Sequence, residues 1–392
     1  MKLVVFGFGR GLRLPARIEE AGVWRGLARA LSRRGHRLVF FERDPTYQGA
    51  HYAVADVAGI DVHLYSDWEI ARSVAAVELD DADVGMVTSG SPDTFEAGEL
   101  VLSSRATLRC FYDVDTPATL AAREVAVGDR GLRDYDIVLG RMGGHALVAL
   151  ERALGAPLTA ALYPCADPEL SGAVEPFDSM AHALSYLEPF AADRQASLEA
   201  LLLAPARRRP ALSFLVGGPG YPPSVSAAGG APNVRLIGRV ATADRAAFYA
   251  AAPLTLHVAR ASHAAMGYCP SARLFEAAAC GVPLLSDAWE GIERFLAPGS
   301  EILVAHDTDE ALAAIERPLS ELRAIGRRAR ERALDEHSAA CRAEELERIL
   351  GACARRAWPL APSLSAGVKV TGAAAGSVTP PALAVEARSR RP

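Results

Sequence analysis

Lysine is almost missing from this chain: Lys2 and Lys369 are the only two, and arginine supplies the remaining positive charge. With alanine so abundant, that bias reads first as general composition and only second as an arginine surface selected for phosphate. An excess of either charge sign is also lacking. Forty-two basic residues face 47 acidic ones, for a net charge of −5, which gives no global pull toward nucleic acid or acidic membranes. The six cysteines, at 110, 165, 269, 280, 341 and 353, include no C-x-x-C pair. That excludes a dense disulfide framework and predicts reduced, structural thiols in a cytoplasmic protein. No window holds about 20 apolar residues in a row, so no membrane span is expected. The apolar start, Met1–Gly7, is too short for a signal peptide and runs into Arg10 and Arg13 without a small-residue cleavage site. No repeat of 20–50 residues is evident.

What is present is ample apolar material, half of 392 residues, enough for two packed cores. Short buried runs alternate with helical patterns. Leu3–Phe6, Arg37–Phe41, Val84–Val87, Arg109–Tyr112, Ile137–Leu139 and Leu158–Leu162 read as strands. A helix carrying Val23, Leu27, Ala30 and Leu31 on one face ends at Gly35. The style repeats from about residue 183. Ser213–Val216, Val234–Ile237, Leu254–Val258, Pro283–Ser286 and Glu301–Ala305 read as strands, and Asp244–Ala251, Ala272–Cys280 and Glu290–Leu296 as helices. Residues 309–353 are helical, with a break or fresh start at Pro318. The alternation predicts an α/β protein of two Rossmann-like domains facing a cleft. The expected division is residues 1–172, 173–354 and a disordered tail at 355–392, with the boundary near Asp167–Phe177.

The stretch Cys269–Pro283 carries the most chemistry. Ser271 is placed to cap a helix and Gly281 to end it, so the free N–H groups of its first turn suit a phosphate. Arg273 in that turn adds a fork of donors. Glu276, at i+3, shares its face and suits the two hydroxyls of a ribose. Taken alone, a capped core helix with an internal Arg–Glu pair is the plainer reading. Its neighbours reverse the preference. Asp287-Ala288-Trp289-Glu290-Gly291 and Arg260 each follow a strand, where ligands bind in open α/β sheets.

Pro270–Gly281, Ser286–Gly291 and Pro298–Ala305 resemble the C-terminal domain of CgeB-like (spore maturation type) glycosyltransferases, relatives of the GT-B class. Phe111–Leu120, Arg34-Gly35-His36 leading to Glu42-Arg43-Asp44, and Asp193-Arg194-Gln195 are similar to further parts of that family. The resemblance implies a nucleotide-diphosphate-sugar as co-substrate and no metal or other cofactor. It puts Arg260 and Arg273 at the diphosphate, Glu276 at the ribose, and Trp289, Glu290 and Gly291 at the donor sugar, with the helix cap Ser271 counted among the donor-binding residues. Three positions depart from it. Tyr268 replaces a second glutamate eight residues before Glu276, Leu187-Glu188-Pro189-Phe190 replaces a Gly-Thr-like loop, and Gly7–Arg13 lacks a Trp-Asn-Gly stretch.

On the acceptor side, Asp113-Val114-Asp115-Thr116-Pro117 follows a strand and precedes a helix. Asp113 and Asp115 suit a general base or a metal pair, and helix capping accounts for one acid but not both; the readings stay open, with Asp115 favoured as base. His145, after Gly143-Gly144, is a second candidate base or a plain first-turn residue. His257 and His263 flank Arg260 without a third ligand, so no metal site is expected. Gly7-Phe8-Gly9-Arg10-Gly11-Leu12 misses the last glycine of a dinucleotide fingerprint.

The expected function is therefore metal-independent glycosyl transfer in an interdomain cleft. The acceptor is a protein, a glycan, a small molecule or modified DNA. The alternatives are a non-catalytic nucleotide-sugar-binding protein and a GT-B-fold epimerase.

Overall fold

Two parallel sheets organise the chain. The computed structural model describes residues 1–7, 21–44, 52–57, 59–123, 127–170, 172, 182–222, 225 and 231–355. The expected glycine-rich loop beyond Gly7, most of the expected domain boundary and the tail from 356 lie outside the described residues.

The first sheet comprises β1 (Lys2–Phe6), β2 (Arg37–Arg43), β3 (Tyr52–Val57), β4 (Ile60–Tyr65), β5 (Val84–Thr88), β6 (Leu108–Asp113), β7 (Ile137–Gly140) and β8 (Thr159–Ala161). Its order is β3-β4-β2-β1-β5-β6-β7-β8, parallel except for the β3–β4 edge pair. Leu3, Val4, Val5 and Phe6 are buried outright, as expected where helices cover both faces of a parallel sheet. Those helices are α1 (Ala21–Arg33), α2 (Trp68–Asp80), α3 (Thr94–Ser103), α4 (Thr116–Ala121) and α5 (His145–Leu154). Phe6 stacks on Phe41 at 5.3 Å, and Trp24 meets Phe40 and Tyr112 edge-on, locking α1 to the sheet.

The second sheet contains β9 (Leu184–Leu187), β10 (Phe214–Gly217), β11 (Val234–Ile237), β12 (Thr255–His257), β13 (Leu284–Ser286) and β14 (Leu303–Val304). All neighbours are parallel, in the order β11-β10-β9-β12-β13-β14. The order reverses between β9 and β12, which opens a crevice at the strands' C-terminal ends. Its helices are α6 (195–208, with a π-turn at Glu199–Leu203), α7 (Arg245–Ala250), α8 (Ala261–Ala264), α9 (Ala272–Ala279), α10 (Thr308–Ile315) and α11 (Leu319–Glu336).

The last helix, α12 (Ala339–Ala354), follows the second half in sequence but packs on α1 of the first. Glu347 takes Arg34 at 2.7 Å and His36 at 2.6 Å, and Ala166 exchanges backbone bonds with His337 and Ala339. The helix expected at Glu290–Leu296 is only a 3₁₀ turn, Ile292–Arg294. Gly291 enters it at φ +88°, a left-handed residue that does not extend a helix. β3 and β4 were not anticipated as elements and α2 and α3 only as unbounded helical segments between strands, whereas the break at Pro318 falls as expected, one residue before α11. All six cysteines are free thiols.

Candidate active site

A cleft of about 750 Å³ opens at the C-terminal ends of both sheets. Its first wall is Val114, Asp115, Pro117, Ala118, Arg141 and Met142; its second runs through 188–194, 257–263 and 269–276. The end of α9 points into it. Ser271 caps that helix by accepting from the Leu274 N–H at 3.2 Å. The same hydroxyl lies 3.0 Å from His257 Nε2, whose Nδ1 is 3.1 Å from Ser286 Oγ. Burial drives the His257 imidazole down to about 4, so it is a neutral strut that fixes the cap.

Arg273 and Glu276 share a helix face, but they do not pair with each other. Arg273 Nη1 donates to Glu188 Oε2 at 2.7 Å, and Arg194 Nη2 approaches the same oxygen at 3.4 Å. Glu188 is only 4% exposed. Burial pushes its carboxyl up, yet Arg273 and then Arg194 outweigh that and hold it below the usual range. Glu276 is held by Arg245, whose Nη1 lies 2.9 and 3.1 Å from its two oxygens. Arg260, also on the cleft wall, reaches across to Asp115 at 3.2 Å and to Asp193 at 3.2 Å.

The two acids of Asp113–Asp115 separate by role. Asp113 is fully buried and accepts from the hydroxyls of Thr116 and Thr119, so it braces α4 and is not on the cleft wall. Burial raises its carboxyl above the ordinary value. Its candidacy as a base is therefore corrected: a carboxylate with no exposed surface cannot meet an acceptor. Asp115 both caps α4, taking the Ala118 N–H at 3.2 Å, and lines the cleft. Burial pushes it up, but the His263 bond, the Ala118 N–H and Arg260 bring it below the ordinary value. His263 Nε2 stands 3.2 Å from Asp115 Oδ1.

Besides Asp113, four expected residues, Trp289, Glu290, Gly291 and His145, are not on the cleft wall. Trp289 is 6% exposed and packs against Phe295 at 5.8 Å, a core role that its apolar bulk explains. Glu290 accepts the Tyr268 N–H on its backbone oxygen at 2.6 Å, and its carboxylate faces His145 at 3.6 Å on an exposed edge. Gly291 backs onto the Tyr268 ring, which lies 2.5 Å from where a Cβ would stand. Tyr268 itself sits at φ +45°, the strained residue of this loop. Its carbonyl accepts from Gly143 and that of Met266 from His145, so these residues join the two halves beside the cleft.

Sequence reading missed Arg245, His263 and Arg141 as site residues. Arg245 had no signal, being 31 residues from Glu276. Arg141 had one, since it follows β7 at the C-terminal end of the sheet. Among the described residues no three His, Cys, Asp or Glu side chains converge as a metal site, and no helix is long and apolar enough to cross a membrane.

Two Rossmann-like sheets facing a cleft define the GT-B class of glycosyltransferase folds. Residues 194–348 match the family model described as glycosyl transferase-like. No curated protein matches. Among solved structures the chain is similar to the sucrose-phosphate synthase of Thermosynechococcus elongatus, at 14% identity over 89% of this chain and 98% of that one, with a TM-score of 0.64. It is similar to Anabaena HepE in complex with UDP and glucose, at 14% identity over 90% and 99%, TM-score 0.63. It is similar also to the catalytic domain of starch synthase IV from Arabidopsis thaliana bound to ADP and acarbose, at 12% identity over 91% and 99%, TM-score 0.61. The chain thus shares the two-sheet GT-B fold of these structures, and its segment 194–348 matches a glycosyl transferase-like family model.

Proposed function

We propose that the protein is a CgeB-like enzyme that transfers a sugar from a nucleotide-diphosphate donor seated in the cleft. The observation that carries this is the capped N-terminus of α9, which presents Ser271, Arg273 and Glu276 to a cavity walled by both halves. In this reading the free N–H groups of α9 take the diphosphate with Arg260, and Glu276 takes the ribose hydroxyls. The relatives crystallised with UDP and with ADP favour a nucleoside diphosphate as the leaving group. Helix and arginine donors offset its charge, so the reading is metal-independent.

Asp115 is proposed as the acid that orients the base. Its carboxylate already accepts from a cation and an imidazole, which weakens it as a proton acceptor. A His263 Nε2–H donated to Asp115 leaves Nδ1 to take the proton of the acceptor hydroxyl. The hydroxyl oxygen then attacks the anomeric carbon, whose bond to the diphosphate breaks with the electron pair leaving on phosphate. Such a single displacement inverts the sugar.

A second reading, a nucleotide-sugar-binding protein without turnover, draws on Glu188, whose carboxylate already occupies the side of Arg273 expected at the phosphates. The deciding measurement is calorimetric titration of uridine, adenosine, guanosine and thymidine diphosphates against native protein, Glu276→Ala and Arg260→Ala, followed by assay for diphosphate release with an acceptor. Affinity that is the same in all three proteins for every nucleotide overturns the donor site. Binding without release leaves the second reading.

A further inference from the structure

The cleft's arginines are almost all spoken for. Arg194 and Arg273 share Glu188, and Arg260 is bound by Asp115 and Asp193. Just behind the wall, Arg245 is bound by Glu276. Arg141 is different. It stands directly after β7 on the first wall, partly buried, with its backbone N–H fixed on the Asp113 carbonyl at 2.8 Å. Its guanidinium makes no hydrogen bond or ion pair with any described residue. It nevertheless acts on the second wall, because its charge helps hold the Glu188 carboxyl low across the cleft. The next backbone donor on this wall, the Met142 N–H, likewise bonds to no described residue.

A partly buried guanidinium that makes no hydrogen bond or ion pair among the described residues keeps its donors open to an anion, and its planar fork fits the paired oxygens of a phosphate or carboxylate. The donor's diphosphate has its own seat on the opposite wall, at α9. We infer that Arg141, with the Met142 N–H, forms an oxyanion subsite on the acceptor side, so that the acceptor carries a phosphate or carboxylate group. The subsite rests on the proposed donor seat for its assignment to the acceptor, but not for its existence. The neighbouring wall, Val114, Pro117, Ala118 and Met142, is largely apolar and leaves the anion as the point that fixes orientation.

The test uses the full chain and three proteins: native, Arg141→Gln and Arg141→Lys. Inorganic phosphate is titrated with and without saturating nucleoside diphosphate, and transfer is compared among neutral sugars, sugar phosphates and uronic acids. The expected results are phosphate binding that persists beside the nucleotide and falls tenfold or more in Arg141→Gln. Arg141→Lys should recover part of it, nucleotide affinity should stay within about twofold, and KM for anionic acceptors alone should rise by a similar factor. Because the guanidinium makes no hydrogen bond or ion pair among the described residues, melting temperatures should match, which guards against misfolding. Phosphate displaced by the nucleotide, nucleotide affinity falling with phosphate affinity, or no change in either overturns the inference. Loss of all nucleotide binding in native protein sinks the donor reading instead, and the phosphate titration still reports on Arg141.

Discussion

Glu188 holds Arg273 at 2.7 Å and stands 3.4 Å from Arg194, so a buried carboxylate shares two cations at the mouth of the α9 helix. In the proposed donor seat, an incoming diphosphate would either join this group or compete with it.

Replacing Glu188 by Gln keeps its shape and removes its charge. With both arginines freed, nucleoside diphosphates should bind about tenfold more tightly, the effect of a gain of about 1.4 kcal/mol. Calorimetry reads this directly. Unchanged or weaker binding would mean that Glu188 is needed to aim the arginines.

The Arg245–Glu276 pair is nearly buried on both sides, at 7% and 14% side-chain exposure. Breaking it from one side leaves a stranded charge, at a cost of about 3–5 kcal/mol of stability. Arg245→Ala should therefore melt lower and bind nucleotide as poorly as Glu276→Ala. The double variant should be more stable than the sum of the single losses predicts. Additive losses in a double-mutant cycle would refute the coupling.

At Gly291, alanine would meet the Tyr268 ring at 2.5 Å and would itself sit at φ +88°. Gly291→Ala should lose about 2–4 kcal/mol in chemical denaturation, from overpacking and backbone strain together. Adding Tyr268→Ala should restore only the packing share, because the dihedral is unchanged. Full recovery would assign the whole loss to the ring.

His257 and His337 are both buried neutral, held down to about 4 and about 3, in each case mainly by burial. An unfolded imidazole titrates near 6.5, so the stability these residues contribute is complete above that pH. It is lost as pH falls toward 4 and 3. Asp287, pushed up to about 6 by burial, opposes them by gaining a proton in the folded state from about pH 6 downward, while its unfolded form waits until about 3.8. Asp113 and Asp167, also raised by burial, act in the same direction as Asp287, but the histidines begin to lose stability first, from pH 6.5, so the melting temperature should start to fall as pH drops below that value. His337→Gln should flatten that slope by up to about 1.4 kcal/mol per pH unit. An unaltered slope would locate the dependence elsewhere.

Much of the fold was legible because parallel strands advertise themselves. Leu3–Phe6, Val84–Val87 and Ile137–Leu139 are short apolar runs that cannot stay in water, and each became a strand. The β3–β4 pair at the sheet edge carries a weaker signal, and it went unread. In the site, Ser271, Arg273 and Glu276 were placed by local rules of capping and helical spacing. Their partners were not, since Glu188, Arg245 and His257 lie 85, 31 and 14 residues away along the chain. Trp289 shows the converse: the family resemblance put it at the donor sugar, whereas it packs in the core against Phe295.

The sequence by itself determined that Pro270–Gly281 forms a capped helix aimed out of a parallel sheet, because capping and burial are local properties. Only the tertiary structure decided which charges meet there. Arg273 faces Glu188 rather than Glu276, Asp115 reaches Arg260 and His263, and Arg141 faces the cleft with no hydrogen bond or ion pair among the described residues. Those pairings depend on how two sheets close on each other, and electrostatic contacts across such a gap leave no periodicity in the chain to read.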